Sequence, residues 1–553
     1  MSVCVNHSVE RLLERTGEMS FACRSLRLSA AAIGLSLLCC ASLQAEVKLA
    51  GVFGDHMVLQ REKAIPVWGW ADSEETVTVT IDDQSKRATV DASGKWMVKL
   101  DAMPAGGPHT LTVSGGNKLT VGDVLVGEVW LCSGQSNMAM TVNRAMDFEK
   151  EKQNANFPQI RHFKTKAHAT PEQQADCSGD WNICSKETVG GFSATAYFFG
   201  RKLYQELNVP IGLINSSWGG TDVAAWSSLP AQQAVEAIVP KLEAYEDRIA
   251  SYDPEKANAA NEAALAKWKD RVAAARKAKR PVPRRPRLSG DPRVNQNRPA
   301  NLFNGMIHPL IPYAIRGATW YQGEHNSKSR ESGMLYEQEL KTLIGDWRSR
   351  WEEGDFSFLT VQLPNFHAPT ELPVQTTGWV MVRESEMKIL RLKNTGIAIT
   401  TDVGEANDIH PKNKQAVGLR LALWALGTTY GQDIVYSGPL MSFCQYRSGT
   451  INDKGKLRPG RMMVNFTHAN SLKSSDGKPL RGFAVADEDR KFHKADAKLD
   501  NTTGMLVLSN KEVQTPVAAR YNWTDNPDGN LVNGAGLPAA PFRTDSWDVT
   551  KEQ

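Results

Sequence analysis

GEVWLCSGQSNMAM, running from Gly127 to Met140, holds a strand, a sharp turn and the start of a helix. Glu128, Val129, Trp130 and Leu131 read as a short buried strand, and Ser133-Gly134-Gln135-Ser136-Asn137 then breaks it with residues that favour a turn and a helix start. At such a corner a serine hydroxyl points out of the carboxyl edge of a sheet, and the backbone N–H groups beside it can hold a developing oxyanion. Ser136 is therefore a candidate nucleophile. A Ser-Asn pair is also an ordinary helix cap, so the stretch alone leaves both readings open.

Three later stretches have the same form. Asn215-Ser216-Ser217-Trp218-Gly219-Gly220-Thr221 follows the apolar run Ile211 to Ile214. Trp320-Tyr321-Gln322-Gly323-Glu324-His325-Asn326 follows Ala318-Thr319, and Asn407-Asp408-Ile409-His410-Pro411 precedes a helical pattern. Polar turns at successive strand ends predict one site. With GQSNM at 134–138, WGG at 218–220, WYQGE at 320–324 and DIHP at 408–411, the chain resembles the SGNH-type hydrolases, and within them the sialate O-acetylesterase group of carbohydrate esterases. The resemblance extends over most of the chain after residue 46.

The chain has 553 residues, 41% of them hydrophobic, ample for two or three domains. A formal charge of +4 gives no general argument for nucleic-acid binding. Arg24 to Leu28, the apolar run Ser29 to Leu43 and Gln44-Ala45 have the parts of a secretory signal peptide, with cleavage expected after Ala45 and Met19 the more natural start. The apolar run is shorter than the ~20 residues of a membrane span, so no span is expected once the signal is removed. Cys39 and Cys40 keep a lipoprotein alternative open, although Leu38-Cys39 lacks the small residues expected before a lipidated cysteine. An exported, periplasmic or secreted protein follows. Cys177 and Cys184 are then free to form a disulfide, while Cys132, inside the strand, reads as a buried small hydrophobe.

Residues 46–122 alternate apolar and polar in short runs such as Thr76 to Ile81 and Trp96 to Leu100, predicting an N-terminal β-sandwich without a catalytic cluster. From 123 to 435 strands alternate with helical patterns (Phe192 to Leu207, Leu335 to Trp351, Ala416 to Leu426), the signature of an α/β doubly wound parallel sheet, SGNH-like by the resemblance. A helical and then proline-rich insertion at about 234–293 interrupts it; Lys267 to Arg298 holds twelve basic and two acidic residues. A solvated face explains such a run, and attraction of polyanions is the alternative. Residues 436–553 return to short alternating strands, a β-rich region that can share a sheet with the N-terminal module.

Acyl transfer needs a nucleophile, a base, something to orient the base, and an oxyanion hole. His410 is the expected base, because Pro411 restricts its backbone, and the family pattern supports it; His308, also before a proline, is the main rival, His367 is weaker, and His325 is placed to line the pocket. The family usually carries an aspartate three residues before the histidine, where this chain has Asn407. Asp408 is the expected orienting acid, with Glu405, Asp402 or a dyad steadied by a carbonyl as alternatives. The N–H groups of Ser136 and of Gly219 or Gly220 are candidate oxyanion donors. The resemblance adds the Gln322 amide. Gln135, Trp218, Glu324, Asn326 and Arg383 are candidate substrate contacts, with Gln135 and Asn137 also suited to bracing the turn. No histidine pair, cysteine cluster or phosphate loop calls for a metal or cofactor. The expectation is an exported serine esterase that removes O-acetyl groups from sialic acid. The alternatives are an acetylesterase for other polysaccharides such as xylan, and a carbohydrate-binding protein with an inactive core.

Overall fold

The computed structural model describes residues 46–451, 453, 457–500 and 502–551. The expected signal segment at 1–45 lies outside them. At the centre is a sheet with the order Gly179–Cys184, Phe157–Thr165, Ile211–Ser217, Lys118–Gly134, Gly317–Tyr321, Ser357–Val361 and Thr395–Ala398. Every neighbouring pair is parallel except the first, which is antiparallel. Strands buried on both faces lose the in/out alternation of a solvated sheet, which is why Val129, Trp130, Leu131 and Cys132 are all apolar and all buried.

The two faces still take alternate residues. Trp320 and Phe358 enter one core with Trp347 and Tyr336 of the helix Arg330–Trp351, while their neighbours Tyr321 and Leu359 enter a second core. That second core is shared by the helices Ala194–Leu207 and Lys414–Trp424. Chain order makes Lys118–Gly134 the switch point. The next strand, Phe157–Thr165, lies two places away, Ile211–Ser217 then fills the gap, and Gly317–Tyr321 takes the opposite side. Connections leave the carboxyl end of this strand in both directions and open a crevice there.

Lys118–Gly134 is also the seam between two parts of the molecule. Its first half pairs antiparallel with Gly106–Ser114 and parallel with Val58–Gln60, and its second half lies between Ile211–Ser217 and Gly317–Tyr321. The strand thus runs straight through residue 122, where the sequence suggests a boundary. A three-stranded sheet (Lys48–Leu49, Ile65–Trp70, Lys95–Leu100) accompanies the N-terminal strands, with Trp96, Val98 and Leu100 turned inward as the alternation requires. At the seam the fully buried Glu128 carboxylate accepts from Arg61 Nε at 2.5 Å and from Arg316 Nε at 2.7 Å, joining the N-terminal module to the central sheet.

The C-terminal strands form separate sheets, notably two of four strands each, rather than extending an N-terminal one. They pack around their own core of Val464, Phe483, Leu506 and Tyr521. The insertion is helical at Val239–Ala250 and Pro254–Lys277. Cys177 and Cys184 are both free thiols, one packed on each of the two cores of the central sheet. Among the described residues no helix is long and apolar enough to cross a membrane. Glu128→Ala would leave two arginines facing a buried gap; the variant is expected to lose about 3 kcal/mol or more of stability, read as a lowered thermal midpoint.

Candidate active site

The turn after the central strand is forced by close packing. Gly134 has φ +134°, and a Cβ there would lie 2.2 Å from the Tyr321 carbonyl oxygen, so only glycine can end the strand in this way. Gln135 N–H then donates to Tyr321 O at 2.9 Å, and a single helical turn, Ser136–Ala139, begins. So short a helix satisfies few of its own carbonyls. Thr195 Oγ1 donates to Asn137 O at 3.2 Å and Ser193 Oγ to Met138 O at 2.6 Å, both from the start of the next long helix.

Ser136 remains half-buried at the crevice while Gln135 and Asn137 on either side are buried. The WGG turn closes over it. Trp218 N–H donates to Gly134 O at 3.1 Å, and a Cβ on Gly219 would lie 3.2 Å from Ser136 Cβ. Gly219 therefore brings backbone against the serine where a side chain would crowd it. Trp218 itself is half-buried against the core.

The loop bearing His410 is tied to the same turn. Asn137, next to Ser136, donates from Nδ2 to the carbonyl of Ile409, next to His410, at 3.0 Å. Met146 N–H reaches Lys412 O at 2.8 Å as a second tie. Asp408 Oδ1 accepts the backbone N–H of His410 at 2.9 Å and lies 3.6 Å from its Nδ1. The other acids considered for this part are engaged elsewhere, Glu405 with Lys412 and Asp402 with Arg420. Burial holds His410 below the usual histidine range; Asp408 pulls the other way, and Lys414 and Arg144 add to the lowering.

Beneath this surface lies a network that sequence reading did not reveal. Lys414 is completely buried, its Nζ donates to Asn137 Oδ1 at 2.6 Å, and it stands 5.1 Å over the Tyr321 ring. Burial pulls it down to about 7, with Glu324 opposing. The Glu324 carboxylate accepts from both Asn137 and Gln135, and burial lifts it above the ordinary carboxyl range. Both side-chain polar groups of Asn137 and its backbone carbonyl are used: amide to Glu324 and Ile409, side-chain oxygen to Lys414, backbone carbonyl to Thr195. Lys414 is the first residue of its helix, where a cation opposes the helix dipole. That mismatch was the available signal.

Several expected substrate contacts turn out to be braces. Gln322 is fully buried, and its Nε2 donates to Thr221 O at 2.9 Å and Asn326 Oδ1 at 2.8 Å, which spends both amide hydrogens and corrects its expected role as an oxyanion donor. Asn326 is buried with Asp222, Glu339 and the Val223 N–H as further partners, and so braces the WGG turn rather than facing the crevice. Arg383 is also misplaced for carboxylate binding. Its buried guanidinium donates to the carbonyls of Leu363, Pro364, Thr524 and Asp525, fastening the C-terminal region to the central domain. Glu324 and Gln135 hold each other below the serine. Among the other histidines, His308 bonds the Gln174 carbonyl through Nδ1, His367 packs on Phe366 and Trp379, and His325 accepts from Lys328 Nζ at 2.8 Å.

This chain is similar to known proteins over most of its length. The profile of the family described as carbohydrate esterase, sialic acid-specific acetylesterase, matches residues 126–269 and 297–426. The sialate O-acetylesterase of Rattus norvegicus is 30% identical over 538 residues, 90% of this chain and 94% of the relative. That of Homo sapiens is 29% identical over 543 residues, 90% and 92% of the two chains. A solved structure, a carbohydrate acetylesterase from Xanthomonas citri, is 33% identical, covers 91% of this chain and 100% of its own, and superposes with a TM-score of 0.75.

Lys414→Met removes a charge that lowers the His410 pKa and that is still present where His410 titrates. The imidazole titration, followed by NMR, is expected to move up toward the ordinary histidine range. An unchanged titration would show that the lysine charge does not reach the imidazole.

Proposed function

The chain belongs to the sialic acid-specific acetylesterase family of carbohydrate esterases, and from that premise we propose that it is an exported serine esterase that hydrolyses O-acetyl groups of sialic acid. The observation that carries the reading is the hydrogen bond from Asn137 to the Ile409 carbonyl, which locks the residue after the serine to the residue before the histidine.

In the mechanism this supports, His410 takes the proton of Ser136 Oγ as the oxygen adds to the acetyl carbonyl carbon. The resulting oxyanion lies against backbone N–H groups, those of Ser136 and Gly219 being the candidates, each donor of this type contributing ~3 kcal/mol to the transition state. Collapse breaks the ester C–O bond, and the proton on His410 passes to the departing sugar oxygen. Water then adds to the acetyl-serine, giving its proton to His410. The second collapse returns that proton to Ser136 and releases acetate. Asp408, bonded to the His410 backbone and close to Nδ1, holds the ring. Export is supported by the charge, apolar run and small-residue end of residues 1–45.

Two measurements test this. Ser136→Ala is expected to lower kcat on p-nitrophenyl acetate by about 10⁴ or more; retention of activity would sink the serine mechanism. Acetate release from O-acetylated sialic acid is expected to exceed that from acetylated xylan, and the reverse order would assign a different acetylated carbohydrate. The base must be neutral and its pKa is lowered, so kcat/KM should hold as the pH passes below ~6.5 and decline only where the lowered His410 pKa is crossed. Asp408→Asn removes the charge that raises His410, so the acid limb should move lower still while kcat falls about a hundredfold.

A further inference from the structure

The family match breaks between residues 269 and 297. The gap, residues 270–296, holds nine basic residues and two acidic ones. The helix Pro254–Lys277 that leads into it buries none of its residues. After it the chain reverses and runs back along the helix, held by Trp268 Nε1 on the Pro283 carbonyl at 2.9 Å and by two 2.8 Å bonds exchanged between Asn261 and Ser289. Pro281, Pro283 and Pro286 keep this return segment extended, leaving Arg284, Arg285 and Arg287 exposed.

The return segment ends on the crevice. Gln296 Nε2 donates to Gly219 O at 3.1 Å, Asn297 Nδ2 to Gly220 O at 3.2 Å, and Asp222 N–H to Asn297 Oδ1 at 2.7 Å. The WGG turn beside Ser136 is therefore held by the arm that carries the arginines. The exposed Lys328, bonded to His325, belongs to the same side. It is pushed below the usual lysine range first by burial of its neighbourhood and then by the charges of Lys241 and Arg287, with Asp222 opposing. Arg293 is paired with Asp291 and Arg298 with Glu246, but Arg284, Arg285 and Arg287 have no ion pair among the described residues.

A run of unneutralised cations is costly next to itself, and its like-charge repulsion is relieved by an anion. Resting on the esterase reading, we propose that Arg284, Arg285, Arg287 and Lys328 form a cationic wall beside the Gly219–Gly220 turn that binds the carboxylates of an acidic O-acetylated glycan. Guanidinium groups meet carboxylates in two-point fashion, and the arm that carries them reaches the turn through Gln296 and Asn297. It makes the chain favour acidic over neutral acetylated carbohydrates.

The test compares kcat/KM on O-acetylated polysialic acid and on acetylated xylan for the full mature chain and its Arg284→Ala/Arg285→Ala/Arg287→Ala variant. The ratio of acidic to neutral is expected to fall about tenfold in the variant, through KM. In the unmodified chain it should also fall between about 20 and about 300 mM salt, as the screening length shortens from roughly 20 Å to roughly 6 Å. Lys118→Ala/Lys498→Ala, removing exposed charge elsewhere, should leave the ratio as it was. A ratio that the arginine substitutions do not move overturns the wall. Turnover that persists in Ser136→Ala would instead sink the esterase reading. Binding then decides between the two: Ser136→Ala with and without the arginine substitutions is titrated with the acidic glycan, and equal affinities, or binding to duplex DNA that is stronger than to the glycan, overturn the proposal.

Discussion

The contact between Gly134 and the Tyr321 carbonyl governs the rest of the structure. Two parallel strands come so close at their carboxyl ends that a single Cβ would not fit, and the chain must leave the sheet plane at that point. It does so with Ser136 first in the helical turn that follows. A larger residue at 134 would push the two strand ends apart, moving Gln135 and Asn137 away from Glu324 and the whole crevice with them. The serine is placed by backbone packing before any side chain is considered.

What keeps the placement is a buried polar cluster rather than an apolar one. Burying a lysine and a carboxylate costs several kcal/mol each unless partners replace water. Asn137 serves as the shared partner, accepting from Lys414 and donating to Glu324, so the two ionisable groups are linked through one amide. The same amide nitrogen reaches the Ile409 carbonyl, and the histidine loop is drawn into the arrangement. Hydrogen bonds fix angles where packing fixes only volume, which suits a site that needs two loops held in register.

Much of the fold was legible because its signals are local. Strands and helices alternate with unmistakable periods, and each polar turn stands at the end of an apolar run, as at Ser136 and Trp218. The roles of Gln322, Asn326 and Arg383 were not legible, because a polar residue in a motif reads as facing water or ligand. Here the turns that follow the parallel strands leave backbone groups such as the Thr221 carbonyl outside any ladder, and those side chains are used inside to satisfy them. The seam at residue 122 was hidden for a related reason. The composition changes where one module's strands stop, but Lys118–Gly134 continues, and a strand that serves two sheets carries no mark of the passage. Lys414 gave a faint signal as a cation opening a helix, yet its burial depends on Asn137, 277 positions away.

The C-terminal region contributes to the site without reaching it. Arg383 donates to four carbonyls, two on the segment after Ser357–Val361 and two on the C-terminal loop at 524–525. Asn365, next along that segment, bonds Asn526 at 2.9 Å and accepts the Gly404 N–H at 2.6 Å, at a position where a Cβ would lie 1.9 Å from the Asn365 carbonyl oxygen. Gly404 opens the loop that ends in Asp408 and His410. A buried guanidinium whose hydrogen bonds go to carbonyls has given up its water for neutral acceptors, and burial pulls Arg383 down to about 10 against the charges of Asp525 and Glu386. Such a group is retained where it holds several chain segments at once. The β-rich region thus acts as a clamp on the back of the histidine loop, and the position of the imidazole depends on both ends of that loop, Asn137 at one and Asn365 at the other.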